Sequence, residues 1–266
     1  MTDAVPPLRE LGHDLTDLTR RQRLTAVALP FACAGAYFAF AAAEWWPAAV
    51  AALVALSFFT YGSTSHDLVH RNMGLPGRTN EWLLCVVELL GVRSGHAYRA
   101  AHLHHHATFP AADDIEGAAA RMTWFGALVN GLTLQPRVWV WAVRRGGKDR
   151  PWVVGEGVAC VALVAGAVAL TPVTPVILIY VALMVAGSWV IPLMTSYVPH
   201  DPAGATELTQ TRAFRGRVAS ALALGHLYHL EHHLYPAVPH QNWPELARRL
   251  DPHLRRAGVR PVRLWF

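Results

Sequence analysis

The chain has 266 residues, of which 53% are apolar and 15% charged, and its mean hydropathy is +0.25. That composition excludes a disordered chain and argues against a water-soluble globule. The formal charge of +5 and pI near 9.4 suit an anionic partner, and within so apolar a chain anionic lipid is the better match than nucleic acid. Cys33, Cys85 and Cys160 lie singly in apolar stretches, so neither a disulfide framework nor a thiolate metal site is on offer.

In chain order, Leu8, Leu11, Leu15 and Leu18 recur at helical spacing among charged residues. They predict an amphipathic helix on the membrane surface, with a loosely ordered tail as the alternative. Residues 1–23 carry no signal-peptide pattern. Residues 24–43 contain no charge, and after Glu44-Trp45-Trp46-Pro47 a second apolar run covers 48–61, so both read as membrane spans. The apolar stretch from Glu81 to Val92 is too short to cross and predicts a buried or re-entrant helix, with Glu88 as an expensive carboxylate unless it is paired. Trp124 to Val143 mixes Trp, Leu and Val with Asn130, Gln135, Pro136 and Arg137 and reads as interfacial. A second pair of spans follows at 153–170, interrupted by Glu156 alone, and at 176–193, across the turn Thr171–Pro175.

Loops on the cytoplasmic side of a membrane collect Lys and Arg. All 23 basic residues fall in 1–23, 62–152 and 193–266, and none in either pair of spans or its turn. The expected fold is therefore an all-α membrane protein with four transmembrane helices in two hairpins. A cytoplasmic helical cap from 1–23, 62–152 and 194–266 would complete one domain over 1–266. One lysine against 22 arginines and abundant alanine suggest a GC-rich bacterial genome, hence an inner membrane.

All 15 histidines also fall outside the hairpins. Three clusters stand out: His66 and His70 as HxxxH; His102, His105 and His106 as HxxHH; and His229, His232 and His233 as a second HxxHH. On a helix advancing about 100° per residue, positions i, i+3 and i+4 fall within an arc of about 100°, so each cluster presents its imidazoles to one side. His104 lies about 200° from His102 and should point away. Eight imidazoles exceed what one tetrahedral zinc takes, so the count implies two ions, while imidazole ligation suits iron, copper, nickel or zinc alike. HLEHH is not the HExxH pattern of zinc proteases. If the second span continues as a helix, His66 and His70 stand roughly 7–14 Å beyond the bilayer edge at about 1.5 Å per residue, with His200 at a similar height past the fourth span. A substrate reaching that level from the lipid would be long and apolar.

These boxes, in this order at the ends of two membrane hairpins, resemble the membrane-bound fatty acid desaturase and hydroxylase superfamily, which includes acyl desaturases and carotenoid hydroxylases and ketolases. The resemblance runs from His66 to Pro239, and VPHDP at 198–202 and YHLEHHLYPAVP at 228–239 look especially like the carotenoid-oxygenating and short bacterial members. It implies a non-haem di-iron centre that uses O2 and two external electrons to attack an unactivated C–H bond. The implied iron ligands are His66, His70, His102, His105, His106, His229, His232 and His233, with His200 as a ninth. His226 and His96 are implied as further ligands or outer donors, and Asp67, Asp113, Asp114, Asp201 and Glu231 as carboxylates that could hold the second ring nitrogens. Ser196 stands where some members carry an asparagine, which puts that outer contact in doubt. His13, His240 and His253 read as surface residues. No flavin, dinucleotide or haem-attachment motif occurs, so electrons are expected from a ferredoxin, rubredoxin or cytochrome docking at Arg144, Arg145, Arg248 or Arg249, for which lipid-headgroup contact is the plainer role. The rival readings are a histidine-rich membrane metal carrier and a zinc hydrolase; the carrier would need ionisable residues along its spans, where Glu156 stands alone.

Overall fold

The structure is a computed structural model and describes residues 5–216 and 225–264. Stretches 1–4, 217–224 and 265–266 of the expected cap lie outside the described residues. Among the described residues, four helical segments are long and apolar enough to cross a bilayer: His13–Ala42, Trp46–His70, Arg150–Ala169 and Val176–Tyr197. They match the spans read from hydropathy to within one residue at Ala43 and Leu170, and the second and fourth continue as helix past the apolar runs, to His70 and Tyr197.

A one-turn helix α1 (Leu8–Leu11) and a 3-10 turn (His13–Thr16) precede the first span and are separated by Gly12 at φ 120°. Leu11 and Leu15 are buried in a cluster with Trp243, Leu246, Leu250 and Leu254. The expected amphipathic surface helix is thus two short turns whose leucines face another helix rather than lipid. Helix α2 (Arg20–Ala42) begins in a capping box: the Gln22 amide N–H donates to the Thr19 hydroxyl at 3.2 Å, and the Thr19 amide donates to the Gln22 side chain at 2.9 Å. A turn through Glu44 at φ 56° leads to α3 (Trp46–Phe59), whose first turn carries Pro47. Ala34, Tyr37 and Ala41 of α2 pack against Ala49, Leu53 and Leu56 of α3.

From α3 the chain passes through one π-helical turn (Thr60–Thr64) into α4 (Ser65–His70). A π turn displaces carbonyls from the regular ladder. Here the Thr60 hydroxyl donates to Leu56 O at 2.9 Å and the Ser63 hydroxyl to Phe58 O at 3.1 Å.

Helix α5 (Gly77–Leu90) buries Leu84, Val87 and Glu88 and exposes Trp82. At 14 residues it spans about 21 Å, too short to cross. Helix α6 (Gly95–Thr108) follows, capped by the Ser94 hydroxyl on the Ala97 amide. A 3-10 turn (Gly117–Arg121) leads to α7 (Trp124–Arg145), which buries Ala127, Gly131, Leu134, Val138 and Ala142 along one stripe and exposes Trp124, Phe125, Val129, Leu132 and Val140 along another. That second apolar stripe is what an interfacial helix offers to lipid. Gly131 is required because any Cβ there would run into the carbonyl of Trp189.

Helix α8 (Arg150–Ala169) and α9 (Val176–Gly187) pack on each other across their short turn, and α9 also packs on α3. Tyr180, Val181 and Met184 of α9 join the α2–α3 core, and the Tyr37 hydroxyl donates to Val176 O at 2.7 Å. Past α9 a 3-10 turn (Ser188–Val190) and a second π turn (Leu193–Tyr197) bring the chain to His200. The remainder holds α10 (Glu207–Gln210), β1 (Phe214–Arg215), α11 (His229–Leu234), α12 (Trp243–Arg256) and β2 (Val262–Arg263), the two strands pairing in parallel. That two-residue pairing and an isolated antiparallel bridge between His200 and Thr211 are small departures from an otherwise helical architecture.

Candidate metal centre

Nine imidazoles converge in two groups. The first comprises His66 and His70 from α4, His102 and His106 from α6, and His232 from α11; the second comprises His105, His200, His229 and His233. Within each group the candidate ligand atoms all lie within 4.8 Å of one another. Each HxxHH cluster is divided between the groups, in opposite senses. The i and i+4 histidines of α6 enter the first group and its i+3 histidine the second, whereas α11 sends its i and i+4 histidines to the second and its i+3 histidine to the first. The two groups therefore adjoin, with the rings of His106 and His233 stacked at 4.4 Å.

The polar environment fixes which nitrogen faces inward. His102 Nδ1 lies 2.9 Å from Glu116 Oε1, His105 Nδ1 lies 2.7 Å from Asp114 Oδ2, and His200 Nδ1 lies 2.9 Å from the Ser196 carbonyl. With each Nδ1–H donated outward, the neutral ring turns a lone pair on Nε2 toward its neighbours. Burial, reinforced by neighbouring imidazoles, holds His102 down to about 3 and keeps His106, His229, His232 and His233 well below the usual histidine range. His200 is likewise held low, chiefly by burial. These six rings are thus unprotonated at neutral pH, each with a ring-nitrogen lone pair free for a cation.

Inward-facing nitrogens lie close together: His66–His232 at 2.9 Å, His102–His106 at 3.1 Å, His106–His232 at 2.7 Å, His105–His200 at 3.1 Å and His200–His233 at 3.1 Å. Lone pairs at that separation repel one another, but ligands about 2.1 Å from a shared ion stand about 3.0–3.4 Å apart along the edges of an octahedron or tetrahedron. His70 Nε2 is buried without a hydrogen-bond partner. The donor set fits two cations held by five and four imidazoles.

As its position on α6 predicts, His104 lies outside both groups, against Trp141 and 3.1 Å from the exposed Asp113. Several other sequence expectations resolve differently. His226 stacks on Phe58 and lies 3.3 Å from Ser63 Oγ. His96 is buried between two carboxylates, 2.7 Å from Glu156 and 2.9 Å from Glu81, and joins neither group. Of the five carboxylates named from sequence, Asp114 alone binds a grouped histidine. Asp67 accepts from the His240 ring at 2.7 Å and from its amide at 3.0 Å, so His240 is tied down rather than free on the surface. Asp201 accepts the Ala203 amide, and Glu231 is buried 2.5 Å from the Arg215 guanidinium. The Ser196 hydroxyl accepts the Ala120 amide at 3.1 Å, so its part in the site is through its carbonyl. Glu88 is paired at 2.7 Å with the buried Arg93. Arg248 and Arg249 are engaged by Glu245, and Arg249 also by Asp14, which leaves Arg144 and Arg145, both exposed, as the two of the four outside any ion pair among the described residues.

Sequence reasoning missed Glu116, which shares its short acidic stretch with Asp113 and Asp114 and has no spacing to distinguish it. Burial pushes its carboxyl up to about 8. It also missed Trp243, whose indole packs 5.3 Å from the His66 ring and 5.2 Å from that of His232.

Four apolar spanning helices with a buried, two-part imidazole cluster at the ends of their extensions define an integral membrane protein with a histidine-rich metal site. The model of the family described as fatty acid desaturase matches residues 43–265, and the chain belongs to that family. No curated protein matches the sequence.

Proposed function

We propose that the protein is an O2-dependent oxidase that desaturates or hydroxylates an unactivated C–H of a lipid-soluble substrate, a fatty acyl chain or a carotenoid. The observation that carries this reading is the meeting of nine imidazoles in two adjoining groups at the end of the spanning bundle. A pair of iron ions there would supply the reductive activation of O2 that breaking a strong C–H bond requires. His66, His70, His102, His106 and His232 would hold one ion, and His105, His200, His229 and His233 the other. Glu116, Asp114 and the Ser196 carbonyl orient their histidines so that Nε2 stays the donor atom.

Hydroxylation consumes O2, two electrons and two protons and releases one water with the alcohol; desaturation consumes the same and releases two waters with the alkene. An external ferredoxin, rubredoxin or cytochrome would supply the electrons. The confinement of basic residues to the segments outside the hairpins supports a site on the cytoplasmic face of a bacterial inner membrane. The chain's part is to hold one methylene, among many alike, within reach of the oxidant.

The test is expression in cells supplied with a carotenoid or with saturated fatty acids, followed by mass spectrometry of the lipids. A gain of one oxygen marks hydroxylation, the same gain with loss of two hydrogens marks a ketone, and loss of two hydrogens alone marks desaturation. Unchanged lipids of both kinds alongside a zinc content of one ion per chain would refute the proposal in favour of a hydrolase.

A further inference from the structure

Ala97, Ala101 and His105 follow one another at i, i+4 and i+8 on α6, so they share a face at intervals of about 6 Å. Opposite the two alanines, α7 sets Gln135 and Val138. An open cavity of about 790 Å³ between α7 and α8 touches Ala97, Gln135 and Val138 at its inner end. One turn deeper along α6, a void of about 10 Å³ is bounded by Ala101, Tyr98, Tyr61 and Glu116 and again by Gln135 and Val138. Glu116 is the hydrogen-bond partner of His102. The void thus lies between an apolar groove on the outside of the bundle and Glu116, the carboxylate that holds His102 of the first imidazole group, with two small residues, Ala97 and Ala101, along the way.

We infer that this groove admits the hydrocarbon portion of the substrate sideways from the bilayer, between α7 and α8, and that Ala101, Val138 and Gln135 gauge how far it reaches toward the histidines. The inference rests on the oxidase reading and adds the route and the residues that measure it. Size agrees, since 790 Å³ falls within the range of about 300–1,000 Å³ typical of small-molecule sites. Its outer wall is lipid-facing, with Val158 64% and Val161 70% exposed. Charge at its inner rim is already matched: Arg93 is bound to Glu88 at 2.7 Å, and the Ser94 hydroxyl donates to Glu156 at 2.6 Å. With no free charge to receive a headgroup, the groove suits an uncharged chain. The wall is fixed where Trp139 donates its indole N–H to Val153 O at 2.8 Å and lies against Gly157, at which any Cβ would strike the indole.

At the constriction the Tyr98 hydroxyl donates to Tyr61 O at 3.0 Å with the two rings stacked at 4.3 Å, so that side is rigid. Gln135 is half-buried and its amide makes no hydrogen bond among the described residues, which makes it the movable element. The void has room for about one water, so a chain passes only when that side chain swings aside. A second large cavity, of about 620 Å³ beside α2, is lined by Arg21, Gln22 and His240 and shares no residue with the void at Glu116.

The test uses the iron-loaded protein in lipid nanodiscs with a hexadecane bearing a terminal diazirine, illuminated and mapped by peptide mass spectrometry. Labels are expected at Val158 or Val161 and also at Tyr98, Gln135 or Glu116. Ala101→Leu should abolish the inner labels and keep the outer ones; if that variant does not assemble, Val138→Phe narrows the same passage from α7. The inference is overturned if labels spread evenly over lipid-facing Val50, Val54, Val158 and Val161 with none inside, or if neither plug alters inner labelling. Labelling needs no turnover, so inner labels without any oxidised lipid would refute the oxidase reading and leave the groove standing.

Discussion

Replacing Asp114 with asparagine separates a carboxylate that holds a ligand in place from one that merely lies nearby. Its two oxygens have different duties: Oδ2 accepts from His105 Nδ1 at 2.7 Å and Oδ1 accepts the Gly117 amide at 2.8 Å. Burial alone would raise this carboxyl, yet the bond to His105 and the charges around it hold it below its ordinary value. In Asp114→Asn the new amide can accept from Gly117 only by turning its NH2 toward the His105 N–H; reversed, it satisfies His105 and abandons the backbone. Either arrangement loses one buried hydrogen bond to a charged group, about 1.5–3 kcal/mol. Loss of such an outer partner lowers metal affinity about 10–100-fold, or about 1.4–2.8 kcal/mol, so the two estimates agree. The second group should weaken selectively, because His105 belongs to it alone. Anaerobic ferrous titration against a competing chelator would show two binding steps in the parent and a displaced second step in the variant. Asp113→Asn is the control, since that side chain is 70% exposed and reaches only His104, outside both groups. Equal weakening by the two variants, or none with Asp114→Asn, would refute the assignment.

Four further outcomes are expected. His105→Ala and His232→Ala should each lower bound iron and lipid oxidation, whereas His104→Ala, at a ring packed on Trp141, should leave both near the parent values by metal analysis and product yield. Because burial pushes Glu116 up to about 8, it is a neutral acid at pH 7 and ionises as pH rises through that value. The ionised form pulls harder on the His102 N–H and strengthens the ligand, so metal affinity should climb between pH 7 and 8 and the climb should vanish in Glu116→Gln. Glu156→Ala removes a buried carboxylate that accepts from Ser94 at 2.6 Å, from the His96 amide at 3.0 Å and from the His96 ring at 2.7 Å; about 3 kcal/mol of stability should be lost in a thermal melt. Arg248→Ala, at an exposed pair, should melt with the parent protein.

The helices that cross were readable because a bilayer demands unbroken apolar length, but hydropathy reports where lipid ends rather than where helix ends. After Tyr61 the composition turns polar, yet the helix runs on to His70, because its polar groups find partners inside the protein: the Thr64 hydroxyl donates to Ala26 O and the Asp67 carboxylate takes His240. The N-terminal leucines show the complementary limit. A stripe of leucines looks the same whether it faces lipid or another helix, and Leu15, at 1% exposure, faces α12.

The histidine spacing was legible for a stricter reason, since imidazoles that share an ion must recur within a turn or so of helix. Which histidine serves which group was not, because that depends on rotations of helices joined by long connections. The π turns at Thr60–Thr64 and Leu193–Tyr197 make the point concretely: each precedes the first histidine of its segment by a few residues. One residue accommodated in such a turn rotates everything beyond it by about 100°. In an unbroken α-helix, His66 and His70 would be turned by that amount away from His102 and His232. Thr60, Ser63 and Thr195 carry hydroxyls that bind displaced carbonyls, yet the same residue types occur in straight helices, so the rotation that assembles the centre leaves no mark in the chain that spacing alone can detect.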